Sequence, residues 1–389
     1  MNDNRIKLIA MLFTFIVLIL ATPFIFDKLM NSKFNTMLIK VQQQNGIVIK
    51  EIENKSNYLN TDKVYEVVIP GEVLGSNEIK YIKLLTEVKF KNLPVTNVIF
   101  HNIVKKFVLK NGKEVKFLEN NFVFDVITPD FKHYKYKVVD KKVKENSLEI
   151  SWAGFNGECI YPKECKNEDG NISIVHTVNN SKISLIGIKS AFLKEKNRFE
   201  QTSSLKKFAI NAPNTMVEIN DISSKNIKID KQNKVDITSE LKVKNANANN
   251  VLKIDNAYSK VEFKDINKSA FNVSDDEKRL QIILDSGFRG DANLDIKNIF
   301  FMQPLGFLKA DSNFSVKPGK NLEKLQYGGD LDFINLDATI IASKNLASLL
   351  LVSNPQLASL VKIDKDKAII KIKIYRGKIY INGKEIKSN

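Results

Sequence analysis

Arginine, histidine and tryptophan are scarce in this chain. Five arginines, at positions 5, 198, 279, 289 and 376, stand among 60 basic residues, so the formal charge of +16 is carried almost wholly by lysine. Nucleic-acid readers use arginine forks on phosphates and base edges. The lysines here alternate with apolar residues, as in "KIKIY", which places them on the wet face of strands. Composition therefore argues against a nucleic-acid partner, while anionic lipid headgroups suit such a surface as an accessory contact. The three histidines, His101, His133 and His176, are scattered, and none stands at ligand spacing from a cysteine. No G-x-S-x-G elbow, P-loop, Rossmann glycine fingerprint, HExxH or CxxC occurs. These absences leave few ways to build an acid, base or nucleophile site. The expectation is a non-enzymatic protein with no catalytic residue, no metal and no cofactor.

Charge is missing altogether from "LIAMLFTFIVLILATPFIF", residues 8–26, in a chain that is otherwise 27% charged. At about 1.5 Å per residue a helix of this length spans roughly 28 Å, close to the roughly 30 Å of a bilayer's hydrocarbon. A cleavable signal would have a shorter apolar core and a small-x-small site, whereas Ala21 is preceded two positions earlier by Ile19. The stretch reads as an uncleaved transmembrane anchor after a cytosolic stub, residues 1–7. Residues 27–45 carry Met30, Phe34, Met37, Leu38 and Val41 at helical spacing, an amphipathic juxtamembrane helix that ends at Gly46.

Only two cysteines are present, Cys159 and Cys165 in "CIYPKEC". A turn at Tyr161-Pro162 can bring the sulfurs together, and closing so small a loop contributes about 2 kcal/mol in the chain-entropy view. They are a candidate disulfide; two free thiols or half of a metal site are the alternatives.

Beyond Gly46 short apolar runs alternate with Lys, Asp, Asn and Ser and break at turn residues every eight to twelve positions, which predicts antiparallel β structure. In "AIIKIKIYRGKIYINGKEI" a two-residue loop at Arg376-Gly377 puts Ile374 opposite Ile379 and Ile372 opposite Ile381, all four on one face. In "FVLKNGKEVKF" a loop at Asn111-Gly112 puts Val108 opposite Val115. A six-residue pattern returns as "VEINDI" from Val217, "VEFKDI" from Val261, "LDIKNI" from Leu294 and "LDFINL" from Leu331, with a related "VKFKNL" from Val88. In each, positions one and three share a face, position five turns the chain and the last residue packs at the corner. "SKNLASLLLVSNPQLASLVK" predicts a short helix that Ser343 can cap. The expected organisation is a first β region, 46–193, a polar joint, 194–215, and a second β region, 216–389.

Trp152 in "SWAGFNG" is either a core anchor or a contact for a ligand, and His101 reads as a hydrogen-bonded strand residue. "FRGD", residues 288–291, reads as a turn. Asp-x-Asn-x-Ser occurs around Asn171, Asn267 and Asn313, the extended acceptor pattern of bacterial N-glycosylation, expected in exposed loops.

The order of parts, with "IPGEVLGSNEIKYIKLL", "VTNVIFHNIVKKF", "SWAGFNG", the "SNPQL" helix and the closing "GKIYINGK", resembles the YdgA-like family of bacterial envelope proteins. That family has no established activity and offers no catalytic residues. Members commonly carry a histidine-glycine step where this chain has His101 followed by Asn102. The terminal hairpin and repeated strands also look like a distant cousin of the AsmA and TamB group. That likeness implies inner-membrane anchoring, a periplasmic location, and long sheets with an apolar groove linked to phospholipid movement.

Two functional expectations follow. In the first, an elongated antiparallel β domain hangs from an inner-membrane helix into the periplasm and binds phospholipid or an envelope lipoprotein. Its groove is lined by Ile372, Ile374, Ile379 and Ile381. In the second, the chain is an interaction or homo-oligomerisation scaffold that pairs through exposed sheet edges.

Overall fold

The structure, a computed structural model, describes residues 46–386 apart from the segments 56–59, 75, 77, 92–96, 130–131, 161–162, 274, 320, 327–330 and 354–359. The transmembrane helix expected at 8–26 and the juxtamembrane helix at 27–45 lie outside the described residues. Among those described, no helix is long and apolar enough to cross a membrane. The protein is mainly β, with antiparallel pairing throughout its described ladders, and it divides into two compact units between Leu193 and Lys194.

The first unit contains β1 (Val48–Asn54), β2 (Asn60–Pro70), β3 (Ile79–Lys91), β4 (Val98–Leu109), β5 (Val123–Thr128), β6 (His133–Val138), β7 (Lys141–Glu145), β8 (Leu148–Ala153), β9 (Asn156–Ile160), β10 (Glu164–His176) and β11 (Ser181–Lys194). Strands β1 to β6 pair in sequence; β6 then pairs with β9 and β9 with β10. One edge of β10 is shared by β9 and β8, and the other is taken by β11. Strict alternation dictates this packing: in "HYKYKV" of β6, Tyr134, Tyr136 and Val138 are buried while His133, Lys135 and Lys137 are exposed.

The core of this unit is filled. One inward row runs Tyr65–Thr86–Asn102–Phe124–Val138, and its polar members are satisfied. Thr86 Oγ1 donates to Asn102 Oδ1 at 3.0 Å, and Asn102 Nδ2 donates to the carbonyls of Phe100 and Phe124, each at 3.2 Å. Burial, followed by the hydrogen bond to Glu51, pushes the Tyr65 hydroxyl's pKa far above the ordinary tyrosine range. The loop expected at Asn111-Gly112 is one residue longer than read. Val108 lies opposite Glu114 and Leu109 bonds to Lys113, so Lys110, Asn111 and Gly112 form a three-residue turn with Gly112 at φ +81°.

The second unit is a meander of long strands: β12 (Arg198–Ala212), β13 (Thr215–Asp230), β14 (Lys234–Ala248), β15 (Leu252–Asn267), β16 (Phe288–Phe301), β17 (Gln303–Val316) and β18 (Ile334–Ser343). Of the segment expected as a joint, 194–215, residues Arg198–Ala212 form strand β12, and the division between the units falls just before it. After β18 come β19 (Lys362–Asp364), β20 (Lys367–Tyr375), β21 (Lys378–Ile381) and β22 (Lys384–Ile386). β20 pairs with β18 on one edge, and with β19 and β21 on the other.

Three helices sit at the ends of these strands. Helix α1 (Asp276–Ser286) is capped by Asp275, whose side chain accepts from Lys278 N at 2.9 Å, and stops at Gly287. Helix α2 (Asn321–Gln326) is tied to it by buried Asn321, whose Nδ2 donates to Leu284 O at 2.7 Å and whose N donates to Asp285 Oδ1 at 2.7 Å. Helix α3 (Lys344–Ser353) packs Leu346 on Leu305 and Ala342. The hydroxyl of Ser343, the expected cap, donates to the Leu305 carbonyl. The rest of the helix read from the sequence overlaps 354–359, outside the described residues.

One transverse row interrupts the meander. Pairing steps from Leu205↔Ile222 to Lys207↔Asn220, from Ile222↔Val243 to Asn220↔Asn245, and likewise across the next two ladders. The positions skipped are Lys206, Asp221, Lys244, Asn256 and Lys297. Asp221 and Asn256 have φ of +50° and +53°, and Asp221 pairs with Lys244 at 3.3 Å. Apolar residues flanking this row are three positions apart in every strand: Leu205/Phe208, Ile222/Ile219, Val243/Ala246, Ala257/Ile254 and Ile296/Ile299. One residue is skipped on each strand, so the register is the same on both sides of the row while the apolar positions change parity across it.

Candidate functional site: the apolar face of the second unit

Opposed residues in an antiparallel ladder share a face, so the register sorts the second unit into two unlike surfaces. One row reads Leu205–Ile222–Val243–Ala257–Ile296–Leu308–Ala342–Ala368. Three rows further on the same face reads Phe199–Lys228–Ile237–Phe263–Gly290–Phe314–Leu336–Ile374–Ile379–Ile386. Of the rows between, one runs Leu294–Ala310–Ile340–Ile370 and the other Ala292–Ser312–Ala338–Ile372–Ile381. Toward β12 to β14 these middle rows change to Ser203, Ser224, Gln201, Asn226 and Ser239.

The opposite face is polar. A representative row is Glu200–Ile227–Thr238–Glu262–Asp291–Asn313–Asp337–Lys373–Tyr380. Two of its carboxylates are paired across strands, Glu200 to Lys225 at 2.7 Å and Asp291 to Lys264 at 3.0 Å. Hydrogen bonds from Lys225 and Arg198 hold the Glu200 carboxyl below its ordinary range, and those from Lys260 and Lys264 do the same for Glu262. An open concavity of about 650 Å³ lies on this side and includes Arg289, Asp291, Asn313, Asp337, Lys373 and Tyr375. Asp291 and Asp337 flank Asn313 in one row, about 10 Å apart at the usual strand spacing, and Asp291 is already engaged by Lys264.

Most side chains of the apolar face are half-buried; fully buried apolar residues in this unit are Val235, Ile266, Ala270, Leu305, Phe333, Ala342, Leu346, Ala347 and Ala368, mostly near strand ends. The helices that pack on these strands are α3, against β17, β18 and β20, and α1, against β15. Phe263, Phe288 and Phe314 form a cluster on this face with ring centroids 5.8 to 6.1 Å apart.

The structure brings the four isoleucines together, Ile372 opposite Ile381 and Ile374 opposite Ile379, at one side of this face. Cys159 and Cys165 are opposed across the β9–β10 hairpin and joined as a disulfide. Trp152 is a core residue of the first unit: it is buried against Phe122, and its Nε1 donates to the Val139 carbonyl at 3.0 Å. His101 lies directly across from Asp125, with Nδ1 2.7 Å from Oδ1. "FRGD" is not a turn. It opens strand β16, with Arg289 bonded to Asp265 at 2.9 Å and Gly290 beneath Phe314. Asn171, Asn267 and Asn313 lie in strands, not in exposed loops, and Asn171 Oδ1 accepts from Gly187 N at 2.9 Å.

The phenylalanine cluster escaped the sequence reading, although Phe288 and Phe314 occupy apolar positions of the alternating pattern in their strands. Register alone shows that the three rings meet. Neither protein-family models, nor curated proteins, nor solved structures give any match to this chain.

Proposed function

We propose that the second unit is a lipid-binding sheet, which holds acyl chains against the face built by the Leu205, Leu294, Ala292 and Phe263 rows. The observation that carries this reading is an apolar surface that spans many strands and whose side chains are mostly half-buried, not fully buried. Water on such a surface is unfavourable, and each methylene withdrawn from it by a bound chain contributes about 0.8 kcal/mol. The small hydroxyls of Ser203, Ser224, Ser239, Ser259 and Ser312 sit at the same level. They offer hydrogen bonds to ester or headgroup oxygens without obstructing the surface.

The proposal places this unit, with the first, on the periplasmic side of a bacterial inner membrane, tethered by residues 8–26. The uncharged run and the resemblance to the AsmA and TamB group support that placement. The function is carriage or storage of envelope lipid and involves no chemical transformation. Lipid extraction and mass spectrometry of the full chain, purified without added lipid, is the test. Stoichiometric phospholipid that is lost on Phe263→Asp supports the proposal. A lipid-free protein that cross-links in cells to a stable protein partner favours the scaffold reading instead.

A further inference from the structure

One end of the second unit carries a feature that lipid binding along the sheet face does not require. The turns joining β12 to β13, β14 to β15 and β16 to β17 are stitched to one another. Asn249 N donates to the Met216 carbonyl at 2.7 Å, Asn249 Oδ1 accepts from Met216 N at 2.6 Å, and Met302 N donates to the Val251 carbonyl at 3.1 Å. They form one rim. The last row before it is apolar, Ile210–Val217–Ala248–Leu252–Phe301.

Helix α3 lies at the same end, since it continues from β18 and Asn345 Nδ2 reaches the Pro304 carbonyl at 3.5 Å. Its inner side holds Leu346 and Ala347 against the strands, and its outer side presents Leu350 and Val352. On the rim Met302 is 73% exposed and Val352 80%, with Leu252, Phe301 and Met216 also in solvent. Met302 sits in a left-handed conformation, φ +56°, at the tip of its turn.

Both signs of charge occur at this end, with Asp255 and Asp366 among the lysines. Lys253 and Lys344 stand beside it and Lys297 four residues further in; Lys253 lies over the Phe300 ring at 5.8 Å, and among the described residues no salt bridge joins any of the three to a carboxylate. Glu218 is already bonded to Lys207 at 2.7 Å. The far end of the same strands differs: Lys231, Lys268 and Arg289 are matched there by Asp236, Asp230 and Asp265.

We infer that this rim docks on an anionic lipid surface, with Met302, Phe301, Leu350 and Val352 entering the acyl boundary and the three lysines meeting headgroups. The inference rests on the lipid-binding reading, because the rim then opens the sheet face to the bilayer that supplies its chains. Both contacts are weak singly, and the combination of exposed apolar tips with lysines that make no salt bridge among the described residues is what selects a charged membrane over an apolar protein partner.

The test uses the full chain with Met302→Cys carrying an environment-sensitive dye. A second version places the dye at Gln232→Cys, in the turn at the opposite end. Each is reconstituted in vesicles of phosphatidylcholine, with or without phosphatidylglycerol, that contain a quencher on the acyl chains. The expected result is a blue shift and quenching at position 302 but not at 232, reduced without phosphatidylglycerol and reduced again by combined Lys253→Gln, Lys297→Gln and Lys344→Gln. Equal signals at the two positions, or none at 302, overturn the rim. Lipid extracted from the same preparations keeps the two proposals apart: retained phospholipid with no quenching at 302 sinks the docking surface and leaves the sheet face standing.

Discussion

The ring of Phe314 rests on Gly290, the residue directly opposite it on the neighbouring strand, where a Cβ would come within 2.5 Å of the ring and would also strike the Glu262 carbonyl. The glycine is therefore a seat for the ring, which in turn meets Phe263 edge-on at 5.8 Å. Gly290→Val should destabilise the second unit by about 1 to 3 kcal/mol, as overpacking does. A lower urea midpoint at unchanged slope would register it; an unchanged midpoint would mean the ring has room to move.

Binding should distinguish the two surfaces of the same strands. Ile372→Asp places a charge on the apolar side, whereas Lys373→Asp, one residue on, alters only the polar side. A loss of about 1.4 kcal/mol, tenfold in affinity, is expected for the first substitution and little for the second. Titration with a fluorescent fatty acid reads both, and equal losses would exclude acyl binding on the isoleucine side.

Reduction of the Cys159–Cys165 bond should weaken the first unit. The closed loop is short, and its loss costs about 2 kcal/mol on the chain-entropy view. Thermal unfolding of the double Cys→Ser protein should show a lowered first transition, and the transition of the second unit should not move. A shift confined to the second unit would contradict the assignment.

Acid should loosen the polar side of the second unit. Glu200 and Glu262 have folded pKa values below the ordinary 4.5 because of their lysine and arginine partners. Carboxyls of this sort stabilise the fold fully above their unfolded pKa, and the contribution disappears as pH falls through the depressed folded values. Urea midpoints measured from pH 6 down to about pH 3 should decline, and Glu262→Gln should flatten that decline. Because both groups are partly in solvent, added salt should flatten it as well.

Local features of this fold were readable in the sequence where short-range rules decide them. The terminal hairpin is one: Arg376 and Gly377 adopt φ of +52° and +77°, the left-handed pair a two-residue loop demands, and the isoleucine pairing follows from counting. The fifth position of the six-residue pattern is another. Asp221 and Asp265 are left-handed, with Ile222 and buried Ile266 next to them, and Asn298 falls in a register shift. In "LDFINL" the same position, Asn335, simply continues a strand. In "VKFKNL" it lies outside the described residues.

Longer-range features were not readable. The misjudged loop at Asn111 shows why: one extra turn residue shifts a register without changing the alternation around it. "FRGD" misled because Arg-Gly-Asp is turn-like in composition, while its place in β16 is set by partners on β15 and β17. That apolar side chains are often fully buried in one unit and mostly half-buried in the other cannot be read from periodicity, since both are written in the same alternating code.

The transverse row of skipped pairs has a mechanical meaning. Along the line from Lys206 to Lys297 one pair is missing from each of four ladders, so the strands are less tightly coupled there than on either side. If the sheet holds acyl chains as proposed, bending at that crease would widen or narrow the face that carries them while the ladders on either side stay intact.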